Sequence, residues 1–173
     1  MLEKLGAEPV FVRTPADLQG LRGLILPGGE SSTQLQFLRE EGLFDAVQEF
    51  ARQGGALFGT CAGVILLARE VSNPKQESLG LADISVVRNA YGRQVDSHVV
   101  QGKSKLGGAP LEMVFIRAPK IAAMGKDVEV LATEEEMPVL IQQGKVLCST
   151  FHPELTEDLT IHRHFLDMVP NGR

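Results

Sequence analysis

Short apolar runs alternate along this chain with longer stretches that repeat apolar residues at helical spacing. Leu24-Ile25-Leu26 and Gly55-Ala56-Leu57-Phe58 are too short for helices and read as buried strands. Pro9-Val10-Phe11-Val12 reads the same way. Helix signals fall between them. Leu2-Glu3-Lys4-Leu5 reads as a last helical turn, stopped by Gly6. In Thr14-Pro15-Ala16-Asp17, a threonine cap precedes a proline at the first helical position and an acid at the third. Ser31-Ser32 can cap a helix running to about Glu40, and residues 43–53 predict another. A further helix leaves Cys61 and is expected to end near Glu70. Strand–helix alternation of this kind predicts a parallel sheet covered by helices on both faces.

The pattern changes in the second half. Residues 71–80 read as a polar connection, Ile84-Ser85-Val86-Val87 as a strand, and residues 101–110 as a loop. Met113-Val114-Phe115-Ile116, Val128-Glu129-Val130-Leu131, Pro138-Val139-Leu140-Ile141 and Lys145-Val146-Leu147-Cys148 are closely spaced strands. Gln142-Gln143-Gly144 forms a hairpin turn between the last two, so an antiparallel ladder is expected here. From Asp158 a closing helix carries Ile161, Phe165 and Met168 on one face. With no linker, repeat or low-complexity stretch, the 173 residues are expected to form one domain.

Charge and composition narrow the possible functions. A net charge of −5 without a basic stripe argues against nucleic acid and anionic membrane as partners. No apolar run approaches membrane-spanning length, and the first residues lack the apolar core of a signal peptide. Two cysteines, Cys61 and Cys148, make no disulfide framework, so a reducing cytoplasm is expected.

The candidate chemistry begins at Phe58-Gly59-Thr60-Cys61-Ala62-Gly63, where an apolar strand runs through G-x-C-x-G into an apolar helix. This is the pattern of a nucleophile elbow with sulfur as the nucleophile. Gly59 and Gly63 leave room for strand and helix to approach, and the helix N-terminus favours the thiolate. The amide of Ala62 can donate to an oxyanion. The competing reading is a buried, inert cysteine. Ser149-Thr150-Phe151-His152-Pro153-Glu154 follows a predicted strand, where α/β enzymes put catalytic loops. Its histidine can move the thiol proton and its carboxylate can orient the imidazole. Alone, it reads more readily as a surface loop with an incidental histidine; Cys61 and His152, each at a predicted strand end, reverse that preference. Pro27-Gly28-Gly29-Glu30-Ser31-Ser32 joins a strand to a helix start, where amides can face an anion; an ordinary glycine turn with a helix cap is the alternative.

These segments occur in order with Arg88-Asn89-Ala90-Tyr91-Gly92-Arg93-Gln94-Val95-Asp96-Ser97, Phe115-Ile116-Arg117-Ala118-Pro119 and Phe151-His152-Pro153-Glu154-Leu155-Thr156-Glu157-Asp158. Together they resemble the glutaminase subunits of pyridoxal 5′-phosphate synthases, a branch of the class I (triad) glutamine amidotransferases. The resemblance covers essentially the whole chain. G-x-C-x-G and H-P-E are common to the superfamily, whereas the Arg88-to-Gln94 and Phe115-to-Pro119 segments are specific to this branch.

The resemblance implies a flavodoxin-like three-layer α/β sandwich with a mostly parallel central sheet. It implies hydrolysis of L-glutamine to L-glutamate and ammonia through a thioester on Cys61, with His152 as base and acid and Glu154 as its orienting partner. Gly29 and Ala62 would supply oxyanion amides. Gly29, Glu30, Ser31, Arg88, Ile116 and Arg117 would line the glutamine pocket. The implied partner is the synthase subunit, which receives the ammonia, and no metal or organic cofactor is implied. Alternatives are a non-catalytic docking partner of the synthase and another cysteine hydrolase or redox protein on the same elbow. Family members begin with a strand, a Leu-Gln-Gly turn and most of a helix ahead of the segment that starts here. The N-terminal strand is therefore expected to be missing, and the chain alone is expected to be a poor glutaminase. His98 stands where the family usually has phenylalanine. His162 and His164 read as surface or packing residues, and Cys148 as core.

Overall fold

A computed structural model describes residues 1–88 and 97–169. Its first strand, β1 (Gly23–Leu26), runs parallel to β2 (Ala56–Thr60), which in turn runs parallel to β10 (Val146–Ser149). β10 then pairs antiparallel with β9 (Met137–Gln143), and β9 with β8 (Glu129–Glu134). The main sheet thus has the order β1-β2-β10-β9-β8, parallel where the helices pack and antiparallel beyond.

Between β1 and β2 come α1 (Ser31–Glu40) and α2 (Leu43–Arg52); α3 (Ala62–Leu67) follows β2 directly. Alternate side chains of a strand point to opposite faces, and β2 shows the consequence. Leu57 joins the apolar cluster of Leu38, Phe44, Val47, Phe50 and Val64 under these helices. Phe58 joins the cluster of Phe115, Phe151 and Phe165 on the other face. Cys148 and Leu147 of β10 divide in the same way. The closing helix α4 (Thr160–Met168) covers the second face, burying Ile161 and Phe165 and leaving Met168 half-buried, as its spacing predicts.

Two smaller sheets complete the described residues. β3 (Ala68–Ser72), β4 (Ala82–Val87) and β7 (Lys120–Met124) form one, in the order β3-β4-β7. β5 (Ser97–Gly102) and β6 (Leu111–Ile116) form an antiparallel pair.

Several local expectations need correction. Residues 9–12 form no strand; Val10 and Phe11 are exposed, Phe11 at 89%. A strand needs a neighbour to satisfy its backbone groups, and among the described residues nothing pairs with this stretch. The helix from Cys61 ends at Leu67, and Ala68–Ser72 continues as a strand parallel to β4, so Glu70 is not helical. Residues 101 and 102 belong to β5, whose only visible signal is the short Val99-Val100 pair. β7, a short strand with one buried side chain, was unexpected. The helix start at Pro15 is a 3-10 turn, Pro15–Leu18, in which Thr14 donates its amide and hydroxyl to Asp17. Glu3–Leu5 is likewise a 3-10 turn, closed by a left-handed Gly6.

Candidate active site

Cys61 lies between the end of β2 and the start of α3, with φ of 48° and ψ of −102°. A non-glycine residue at positive φ carries about 1–3 kcal/mol of strain and persists only where its surroundings hold it. Here they do. The Cys61 amide donates to the Ser149 carbonyl of β10 at 2.8 Å, and its carbonyl accepts from Val64 at 3.1 Å. The elbow glycines act through close approach. A Cβ on Gly63 would lie 2.0 Å from the Leu26 carbonyl oxygen, and one on Gly59 would lie 2.7 Å from Gly63. Cys61 is 7% exposed, and its Sγ approaches the Ile116 carbonyl at 3.8 Å. Ala62 is the first residue of α3, so its amide is among those a helix leaves without an intrahelical acceptor.

His152 follows β10 and opens a 3-10 turn over Pro153–Leu155. Its amide donates to the Val114 carbonyl at 2.8 Å, tying the loop to β6. Its Nδ1 lies 2.8 Å from Glu154 Oε1. The imidazole is pushed up to about 10, first by its hydrogen bond with Cys61, then by that with Glu154, against burial, which lowers it. Burial, the largest single influence, raises Glu154, but its hydrogen bond with His152, a backbone hydrogen bond and the nearby imidazole charges together hold the carboxyl below its usual value. An imidazolium at His152, with the Glu154 carboxylate behind it, is therefore the favoured state of this pair.

The turn after β1 lies against this group. A Cβ on Gly28 would sit 2.4 Å from His152 Cε1, so the imidazole packs on bare backbone. Gly29 has φ of 142°, a conformation that favours glycine. Glu30, not a serine, caps α1: its carboxylate accepts from the Thr33 amide at 2.7 Å and the Ser32 hydroxyl at 2.6 Å. Those two contacts, the Ser32 hydroxyl first, bring its carboxyl down to about 2. Arg88 Nη2 donates to the same carboxylate at 3.0 Å. Ser31 is buried, and its hydroxyl donates to Gln76 Oε1 at 3.0 Å.

A profile of the SNO glutamine amidotransferase family matches residues 1–171. The chain belongs to the SNO glutamine amidotransferase family. Among the relatives of this glutamine amidotransferase are proteins named pyridoxal 5′-phosphate synthase subunit PdxT. That from Koribacter versatilis is 51% identical over 172 residues, covering 99% of this chain and 88% of the relative. That from Fervidobacterium nodosum is 47% identical over 173 residues, covering 100% and 91%. A crystal structure described as a glutamine amidotransferase matches with a TM-score of 0.91 and 48% identity, over 96% of this chain and 89% of its own. A more distant crystal structure, of a glutamine amidotransferase from Thermotoga maritima, is 18% identical with a TM-score of 0.52 over 76% of this chain and 55% of its own, and it shares the fold.

Within this amidotransferase the structure brings Cys61, His152, Glu154 and the carbonyl of Ile116 together, with Gly28 against the Cε1 edge of the imidazole. Arg88 and Glu30 meet as an ion pair, whereas Arg117 is exposed with φ of 46°. Residues 89–96, most of the branch-specific segment, lie outside the described residues. Sequence reasoning missed Gly28, although its motif was in view. It also missed Gln34 and Gln76, which bond to the pocket turn and to Ser31 and carry no motif. His162 is a packing residue, set edge-on to Phe58, and burial lowers its pKa. His164 bonds Gln142 at 2.7 Å. His98 Nε2 lies 2.6 Å from Glu134, with its ring stacked on Phe115. Cys148 is fully buried, and burial pushes its thiol up to about 12, which keeps it inert.

Proposed function

We propose that this chain is the glutaminase subunit of a pyridoxal 5′-phosphate synthase, hydrolysing L-glutamine to L-glutamate and ammonia with Cys61 as nucleophile. The thiolate attacks the side-chain amide carbon, and the amides of Gly29 and Ala62 stabilise the oxyanion that forms. Collapse of this intermediate needs a proton on the leaving nitrogen. His152, held as imidazolium by its raised pKa, already carries it. Ammonia leaves and a glutamyl thioester remains on Cys61. Neutral His152 then takes a proton from water, the hydroxide attacks the thioester, and glutamate departs as the thiolate and imidazolium return. Glu154 keeps the imidazole in orientation and supports its positive charge.

In the pocket, Glu30 commits its carboxylate to the α1 cap and to Arg88, so it acts chiefly by holding Arg88 in place. Gly29, Ser31, Arg88, Ile116 and Arg117 form the rest of the glutamine pocket. Ammonia released into neutral water is protonated and lost as a nucleophile, so a synthase subunit must receive it directly. The names of the PdxT relatives support the pyridoxal phosphate synthase as that partner. No helix among the described residues is long and apolar enough to cross a membrane, and a cytoplasmic protein of one domain fits this role.

The observation that carries the proposal is the elbow-borne Cys61 beside a His152 that is itself bonded to Glu154. In the complex with synthase, Cys61→Ala is expected to abolish glutamate release. His152→Asn is expected to cost far more than Glu154→Gln, and the double variant less than the sum, because the group acts as a unit. Normal turnover by Cys61→Ala, or equal and additive losses for the other two, would overturn these roles.

A further inference from the structure

Gln34 stands one turn into α1, and a helical side chain leans back over the turn N-terminal to it. Its Nε2 donates to two consecutive carbonyls of the turn after β1, Pro27 O at 3.1 Å and Gly28 O at 3.2 Å. The opposite amide orientation would set Oε1 against both carbonyl oxygens, so the donor must face the turn.

The Gly28 carbonyl and the Gly29 amide belong to one planar, trans peptide unit and point in opposite directions. Whatever fixes the oxygen fixes the N–H. The backbone itself does little to fix it, since both residues are glycine and Gly29 sits at φ of 142°. We propose that Gln34 is a positioning residue: by gripping the Pro27 and Gly28 carbonyls, it holds the Gly28–Gly29 peptide in the orientation that presents the Gly29 amide to the oxyanion. This rests on the role given to Gly29 in the reaction proposed above. An oxyanion donor acts in the transition state and not on bound substrate. Loss of the grip therefore lowers kcat and leaves glutamine binding largely intact.

The test uses the complex with synthase and reads glutamate release against glutamine concentration. Gln34→Met keeps the length of the side chain and removes the donor. It is expected to lower kcat about tenfold, a fraction of the roughly 100- to 1,000-fold lost with a whole oxyanion donor. KM is expected to stay within about threefold. Alkylation of Cys61 by iodoacetamide needs no oxyanion donor and is expected to stay within roughly twofold of the parent rate. Gln34→Glu sets a carboxylate against two carbonyls, so it is expected to be slower still at neutral pH. Its rate relative to the parent should recover as pH falls and the protonated acid regains one donor, a signature that misfolding does not produce. Three outcomes would overturn the inference: kcat within twofold of the parent for both variants, a loss confined to KM, or a parallel loss of iodoacetamide labelling. Failure of the parent itself to release glutamate through Cys61 would instead overturn the proposed reaction, and this inference with it.

Discussion

Two strand-to-helix junctions meet at the site and are built by different means. The β2–α3 elbow is held by the core. β2 is buried along its whole length, the Cys61 amide is tied to β10, and Gly63 touches the backbone of β1. The β1–α1 turn lies nearer the surface and is held by polar side chains: Gln34 on its carbonyls, Glu30 on the helix start, Gln76 on Ser31. The position of Cys61 is thus a property of the fold, whereas the opposite wall depends on a few hydrogen bonds. Packing resists change by several kcal/mol, while a single polar contact contributes about 0.5–1.5 kcal/mol net.

The sharpest way to break this contrast is one added methyl group on each side. Gly63→Ala sets a Cβ 2.0 Å from a backbone oxygen of β1, which no side-chain rotation relieves. A loss of about 3 kcal/mol or more is expected, toward the upper end for overpacking, read as a fall in Tm or as insoluble protein. Gly28→Ala instead meets the edge of the His152 ring, which can swing away. Its Tm is expected to stay near the parent while glutamate release collapses. Equal effects on Tm from the two substitutions would contradict the comparison.

A smaller effect concerns His152, which faces both junctions. Its pKa is raised, about 10 against an ordinary 6.5. The stability it contributes is therefore fully present below pH 6.5 and is lost as pH rises toward 10. Imidazole NMR of the resting protein should show His152 titrating far above the ordinary value. Cys61→Ser, which removes the largest cause of the shift, should bring it back down. An unchanged titration in that variant would show that the thiol is not the partner.

The smallest expected effect is at Glu30, on the turn alone. Glu30→Ala removes the α1 cap, at a cost of about 1 kcal/mol. The carboxyl is depressed to about 2 from 4.5, so the difference in Tm from the parent should be full above pH 4.5 and close as pH falls toward 2. A pH-independent difference would mean that the charged cap contributes nothing.

The same contrast governs what could be read from the sequence. The elbow was legible because close approach demands glycine at fixed spacing, and Gly59 and Gly63 print that demand into the chain. His152 and Glu154 were legible because they are two residues apart. Gln34 and Gln76 were not, since a side chain reaching a carbonyl leaves no spacing to find. Strands failed at the margins for a related reason. Val146–Ser149 and residues 9–12 have similar apolar character, yet only the former has neighbours on both sides. Pairing belongs to the partner strand as much as to the segment itself.

The central claim is that Cys61 carries the glutamyl group, and trapping that group tests it most directly. The complex with synthase, turning over labelled L-glutamine, is quenched in acid and digested, and the label is located by mass spectrometry. The expected result is a glutamyl adduct on the peptide bearing Cys61, absent from Cys61→Ala and never on Cys148. Label on another residue, or steady glutamate release without any adduct on Cys61 in the quenched complex and undiminished by Cys61→Ala, would contradict it.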